Sequence, residues 1–279
     1  MKQTIFHLED RGGKWIFHFI YYNLIGLYLI ENGLYDTTGH DANKNGSTYP
    51  LLNKVVSKPS TVISYPIKIH MNKVEQFQRD AFKIIQNKFI LIEDILLEKN
   101  YEIVNIYGGS NISYSPVMIN YIRNLFISNA VICNNMLTKK KRIFITRKNS
   151  EQYHNNILKR YILNENQLMD SLREWNFEYI QLELLDFKNK ILLFMNSEII
   201  ISSHGSQLSF ICFCNAYTKI IEICNKGTIG FPNDQIHGVA SALKYNYRRY
   251  NNVNEDINGN FYLGISEFKN YLKRNILNE

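Results

Sequence analysis

From Arg142 to Tyr250 the chain alternates short apolar runs with helical segments, and this alternation limits its fold more than any other feature. Strands are predicted over Arg142–Thr146, Tyr179–Leu184, Glu198–Ser202, Lys219–Ile223 and Tyr245–Tyr250. Helices are predicted between them, over Glu165–Trp175, Phe187–Met195, Gln207–Asn215 and Asp234–Leu243, with Asn164 as the N-cap of the first. Strands separated by helices and short loops imply a parallel, doubly wound sheet. Ligands on such sheets bind beyond the carboxyl ends of the strands. Arg147, His204 and Glu222 all fall there.

The most informative stretch runs from Ser197 to Gln207. An apolar strand enters a small polar cluster, Ser202-Ser203-His204-Gly205, and a helix follows. Gly205 lets the backbone approach another group without a Cβ in the way. Ser206 and Gln207 would open the helix, where free N–H groups and the positive dipole end favour an anion such as a diphosphate. Glu222 interrupts a strand that should be buried. A carboxylate there is costly unless it has a polar partner, and a ribose diol is a natural one. The plainer reading is an ordinary β-turn-α-β unit with a capping serine.

Several motifs recur in a particular order. They are Ile145-Thr146-Arg147, Arg160 with Asn164-Glu165, Phe177-Glu178, Asp186-Phe187, Ser202-Ser203-His204-Gly205-Ser206-Gln207-Leu208 and Ile221-Glu222-Ile223. This order, over roughly residues 140–225, resembles glycosyltransferase family 61. Ser206 stands where that pattern usually has Ala, and Asn189-Lys190 where it has Glu-Gln. The resemblance implies a GT-B-like α/β architecture, two small Rossmann-like domains with a cleft between them. It implies an inverting enzyme that moves a sugar, such as xylose or N-acetylglucosamine, from a UDP-sugar to a glycan acceptor hydroxyl. The donor-binding residues it implies are Thr146, Arg147, Arg160, Asn164, Ser203, His204, Gly205, Ser206, Gln207 and Glu222. The alternative is a catalytically silent relative that binds a nucleotide-sugar or glycan.

Three segments are expected: an acceptor-side domain at 1–138, a nucleotide-sugar domain at 139–254, and a terminal helix at 255–279 packing back on the first. Gly12-Gly13 precedes a mostly buried helix from Trp15 to Glu31, stopped by Gly33. A loop covers 36–49, and strand character appears over Thr61–Ile69, Phe89–Leu97, Glu102–Tyr107 and Ala130–Cys133. Ser115-Pro116 opens a helix over Val117–Phe126. His18 resembles a histidine of the family's first-half element. An inverting transfer needs a base for the acceptor hydroxyl, and His18 and Asp10 are the candidates.

With 279 residues, 45% hydrophobic, the chain can bury a sizeable core. A formal charge of +7 favours anionic ligands, and the scatter of basic residues speaks against nucleic acid. No D-x-D triplet follows a strand, so the diphosphate is expected to be met by cationic side chains and a helix N-terminus, with no metal or other cofactor required. The four cysteines lack C-x-x-C spacing and read as buried thiols of a reducing compartment. The apolar stretch near Trp15–Ile30 is short for a bilayer and carries His18 and Asn23. With no leader visible, a cytoplasmic location is expected.

Overall fold

A computed structural model of the chain divides into two compact units, Met1–Asn135 and Met136–Glu279. It describes residues 3–8, 16–33, 65–71, 73–93, 101–106, 115–131, 140–147, 160–224 and 235–277. The expected loop at 36–49, the glycines at 12–13 and Asp10 lie outside them.

In the first unit, β1 (Gln3–Leu8) leads to α1 (Ile16–His18), a π-helical turn (Phe19–Asn23) and α2 (Leu24–Glu31). Then come β2 (Ile67–His70), α3 (Gln76–Ile84), β3 (Phe89–Ile92), β4 (Tyr101–Ile106) and α4 (Pro116–Val131). The strands form a parallel sheet in the order β3-β2-β1-β4. Gly33, at φ 63°, takes the left-handed position that follows α2. Of the strand expected over Thr61–Ile69, residues 61–64 lie outside the described residues, and the described part starts at Ile67, after Pro66, which has no N–H to give to a ladder. The strand expected at Ala130–Cys133 is corrected: Ala130 and Val131 close α4. Ile122, Leu125, Phe126 and Ala130 are buried at helical spacing, and that period wins over local β propensity. The helix α3 opens on a reciprocal capping box between Glu75 and Gln78.

A four-way polar contact ties this unit together. The Glu31 carboxylate at the end of α2 accepts from Tyr65 (2.6 Å), Tyr121 (2.6 Å) and Lys88 (2.9 Å). Burial raises its pKa, but these three donors and the Lys88 charge outweigh burial and hold it below the usual value. The contribution is therefore complete above the unfolded-chain value, about 4.3, and is lost as pH falls through the lower folded one. Glu31→Gln should cost about 2 kcal/mol at pH 7, and the gap to wild type should shrink below about pH 4 in urea titrations. An unchanged gap would remove the carboxylate from this account.

In the second unit, β5 (Lys141–Ile145), α5 (Glu165–Arg173), β6 (Phe177–Ile180), α6 (Phe187–Met195) and β7 (Ser197–Ser203) follow in order. Next are a 3-10 helix (Ser206–Phe213), β8 (Lys219–Ile223), α7 (Gln235–Ala242) and β9 (Asn246–Tyr250). A hairpin of β10 (Val253–Glu255) and β11 (Phe261–Leu263) precedes α8 (Ile265–Leu272), whose last turn is π-helical (Lys273–Leu277). The sheet is parallel throughout, in the order β6-β5-β7-β8-β9. Right-handed crossovers then place α5 on one face and α6, the 3-10 helix and α7 on the other.

On the α5 face, Phe144, Ile199, Ile201, Ile221 and Ile223 pack with Leu168 and Leu172, Phe261 of the hairpin, and Phe268, Leu272 and Ile276. The terminal helix thus contributes Phe268, Leu272 and Ile276 to this second-unit core. Its heptad-like spacing carries no address, so the sequence alone did not say which core it would fill. The strand expected over Tyr179–Leu184 ends at Ile180, and a 3-10 turn takes Leu182–Leu184. The helix expected over Gln207–Asn215 is a 3-10 helix ending at Phe213. There Ser209 Oγ donates to Ser206 O (2.5 Å) and Cys212 Sγ to Ser209 O (3.8 Å), local bonds to carbonyls three residues back that suit the tighter spiral.

Candidate active site

The carboxyl ends of four strands bring the polar residues of the second unit into one row. Ile145 pairs with Ser202, Ser202 with Glu222, and Glu222 with Arg249. Side chains two apart on a strand share a face, so Tyr247 joins Arg249 beside Glu222. Ser203 ends β7, and the chain turns sharply through His204, Gly205 and Ser206.

His204 is fixed at three points. Its N–H donates to Ile223 O (2.9 Å), its carbonyl accepts from Arg147 Nη1 (2.7 Å), and its ring Nδ1 lies 2.7 Å from Glu222 Oε1. Glu222 has 0% exposure. Its second oxygen takes the Tyr247 hydroxyl and Arg249 Nε (3.1 Å), and Arg249 Nε also donates to the Tyr247 oxygen (2.9 Å). Burial pushes the Glu222 carboxyl up, but His204, the Tyr247 hydrogen bond and the Arg249 charge more than offset it and hold it below the usual range. Burial beside that carboxylate raises the Tyr247 hydroxyl well above its ordinary value. Both are therefore in their ordinary charge states at pH 7, carboxylate and neutral phenol.

Gly205 lacks the side chain that would close this turn. A Cβ there would lie 1.7 Å from Arg147 Nη1 and 2.5 Å from Gln207 Oε1. The backbone is extended, so the need for glycine is space, not dihedral freedom. Arg147 Nη1 uses that space to reach His204 O and Gln207 Oε1 (3.3 Å). Gln207 in turn donates to Ser202 Oγ (3.1 Å) and Ser203 O (2.9 Å). Burial, with the charge of Arg160 added, brings the Arg147 guanidinium down to about 10, so it stays charged.

Arg160 sits at φ 55°, a left-handed conformation that costs a non-glycine residue about 1–2 kcal/mol. Its guanidinium is desolvated by burial and feels the charges of Cys224 and Glu222. Among the described residues, its buried Nε has no hydrogen-bond partner. A strained backbone and an unsatisfied buried donor in one residue are a functional signature.

The other expected donor contacts are placed differently. Thr146 is buried and donates to Glu165 Oε1 (2.8 Å), which also accepts from Tyr179 (3.0 Å). Asn164 precedes α5 but makes no side-chain cap. Its amide instead grips the backbone of Leu263, at 2.9 Å and 3.0 Å, and so ties the 160–164 loop to the hairpin. Ser206 is exposed at the start of the 3-10 helix. In the first unit, His18 lies in the α1 turn, and Asp10 is outside the described residues. At the carboxyl ends of β1 and β2, His7 and His70 pair through their Nδ1 atoms (2.8 Å). Neither histidine, nor Tyr247 or Arg249, was singled out from the sequence. The signal for the last two was there: alternate polar residues in a short strand whose neighbour carries a buried acid.

His204, Glu222 and Cys224 offer three ligand atoms within 4.8 Å of one another, a geometry a metal ion could use. Positive charge is already supplied there. Arg249 donates to the carboxylate and Arg160 feels both the acid and the thiol.

Parallel α/β sheets, as in both units here, are consistent with an α/β glycosyltransferase. The family model Glycosyltransferase 61 matches residues 17–221, more than half of the chain. The chain belongs to glycosyltransferase family 61 and is a glycosyltransferase. No curated protein matches it. Among the described residues, no helix is long and apolar enough to cross a membrane.

Proposed function

We propose that the enzyme transfers a sugar from a UDP-sugar to a glycan hydroxyl with inversion, without a metal, in a GT-B arrangement. The observation that carries the donor site is the gathering of three arginines around the turn at His204: Arg249 donates to the Glu222 carboxylate, Arg160 feels its charge, and Arg147 donates to the His204 carbonyl. Buried guanidinium groups in excess of acids favour an anionic ligand, and a diphosphate offers the oxygens that such forks pair with. The 3-10 helix beginning at Ser206 adds free backbone N–H groups at the same edge. His18 and Asp10 stay as the candidate bases for the acceptor hydroxyl.

Arg160→Asn tests the donor site cleanly, because asparagine tolerates the left-handed backbone while removing the guanidinium. UDP affinity should fall about 10- to 100-fold, the worth of one charge-assisted contact. Calorimetry giving an unchanged Kd in the folded variant would take Arg160 out of the site. Chelation should leave transfer intact. Loss of activity with EDTA and its return with manganese would overturn the metal-free part of the proposal.

A further inference from the structure

We propose that Glu222 acts in sugar transfer as a positioning residue, working through His204 rather than by touching the donor. The inference rests on the donor-site reading above. The carboxylate is fully buried, and each oxygen is engaged: one with His204, the other with Tyr247 and Arg249. A direct contact with a ribose diol would have to displace one of these partners.

An ionised carboxylate only accepts hydrogen bonds. The Nδ1 atom of His204, 2.7 Å away, must therefore carry the hydrogen. That fixes the ring: Nε2 is the nitrogen left for a ligand, and among the described residues it makes no hydrogen bond. The backbone of His204 is held on both sides, by Ile223 O and by Arg147. The ring thus has one orientation and one open nitrogen. This is the arrangement by which a carboxylate orients a histidine in other enzymes, with the acid staying ionised throughout. With a hydrogen on Nε2 as well, that N–H donates to a diphosphate oxygen while the acceptor oxygen bonds to C1 and passes its proton to the base, the C1–O bond breaks, and its electron pair goes to the leaving group. No proton need leave the ring in that step.

Tyr247 and Arg249 complete the arrangement from β9. They occupy the far oxygen and stop the carboxylate from rotating away from the ring.

Glu222→Gln decides the matter. An amide offers a donor as well as an acceptor, so the ring is no longer forced into one tautomer. At saturating donor, turnover should fall about 10- to 100-fold, the usual effect of losing an orienting partner. UDP affinity should change less than about threefold, and the penalty for 2′-deoxy-UDP or 3′-deoxy-UDP should be the same in both proteins. In a His204→Gln background, Glu222→Gln should cost nothing further, because its route runs through the ring. Additive losses, or a deoxy-UDP penalty that vanishes in Glu222→Gln, would overturn the inference. The second result would return Glu222 to the ribose. If wild type binds no UDP at all, the donor-site reading falls first. If Glu222→Gln does not fold, wild type labelled with 15N-histidine still answers. UDP should then move the Nε2 resonance of His204 while Nδ1 stays protonated, and the reverse would sink the idea.

Discussion

Gly205→Ala should cut transfer by about 100-fold or more in a chain that still folds. The new Cβ would fall 1.7 Å from Arg147 Nη1 and 2.9 Å from its Cζ, so the guanidinium has to leave. Its bonds to His204 O and Gln207 Oε1 leave with it. Each is charge-assisted and contributes about 1.5–3 kcal/mol. Arg147 is the flexible end of a long side chain, so the clash is relieved by swinging it out rather than by unfolding. The global cost should be about 3 kcal/mol or more, the sum of the two lost bonds, while the turn that presents His204 loses its clamp. Steady-state transfer, UDP calorimetry and a melting curve together separate these effects. The decisive comparison is the double variant: Gly205→Ala added to Arg147→Ala should do little further harm, since the one close contact left is Gln207 Oε1 at 2.5 Å, the end of a flexible side chain. Wild-type UDP affinity in Gly205→Ala would mean that this turn is not the anion site.

The sheet of the second unit was legible because its strands are buried on both faces. Ile199–Ile201 and Ile220–Ile221 read as unbroken apolar runs, as parallel strands do. The positions of Arg147, His204 and Glu222 followed from those runs, since each lies at a carboxyl end. What each side chain holds did not follow. Asn164 looks like a cap by its place before a helix, but the hairpin that takes its amide lies 99 residues away, a separation that no local pattern encodes. The same holds for the terminal helix: the amphipathic face is visible, but not the sheet it covers. Tyr247 and Arg249 were hidden for a different reason. A strand with the burial pattern of Asn246–Tyr250 reads as an edge, and β9 is one. Polar side chains on an edge strand are ordinary, and only the register with Glu222 gives these two a task. Arg160 stood out by its place in the motif order, but its left-handed backbone, φ 55°, was not legible until the chain was traced.

Phe210→Ala is expected to be the most destabilising single change near the site. The ring is buried and central to an aromatic layer, with centroids 5.1 Å from Phe187, 5.7 Å from Phe194 and 6.0 Å from Phe213. Truncation leaves a cavity among three rings that belong to α6 and to its own 3-10 helix, and such a site collapses poorly. The cost should be about 3–5 kcal/mol, read as a melting temperature lower by roughly 10 °C. Function should suffer through the same route. Phe210 lies one turn beyond Gln207, whose side chain joins Arg147 to β7. Loosening the 3-10 helix therefore loosens the turn at Gly205. Saturating UDP should recover part of the lost stability, because a ligand that binds only the ordered turn adds about 2.7 kcal/mol at 100 times its Kd. A variant that melts early but gains nothing from UDP would show that the aromatic layer supports the sheet without supporting the donor site.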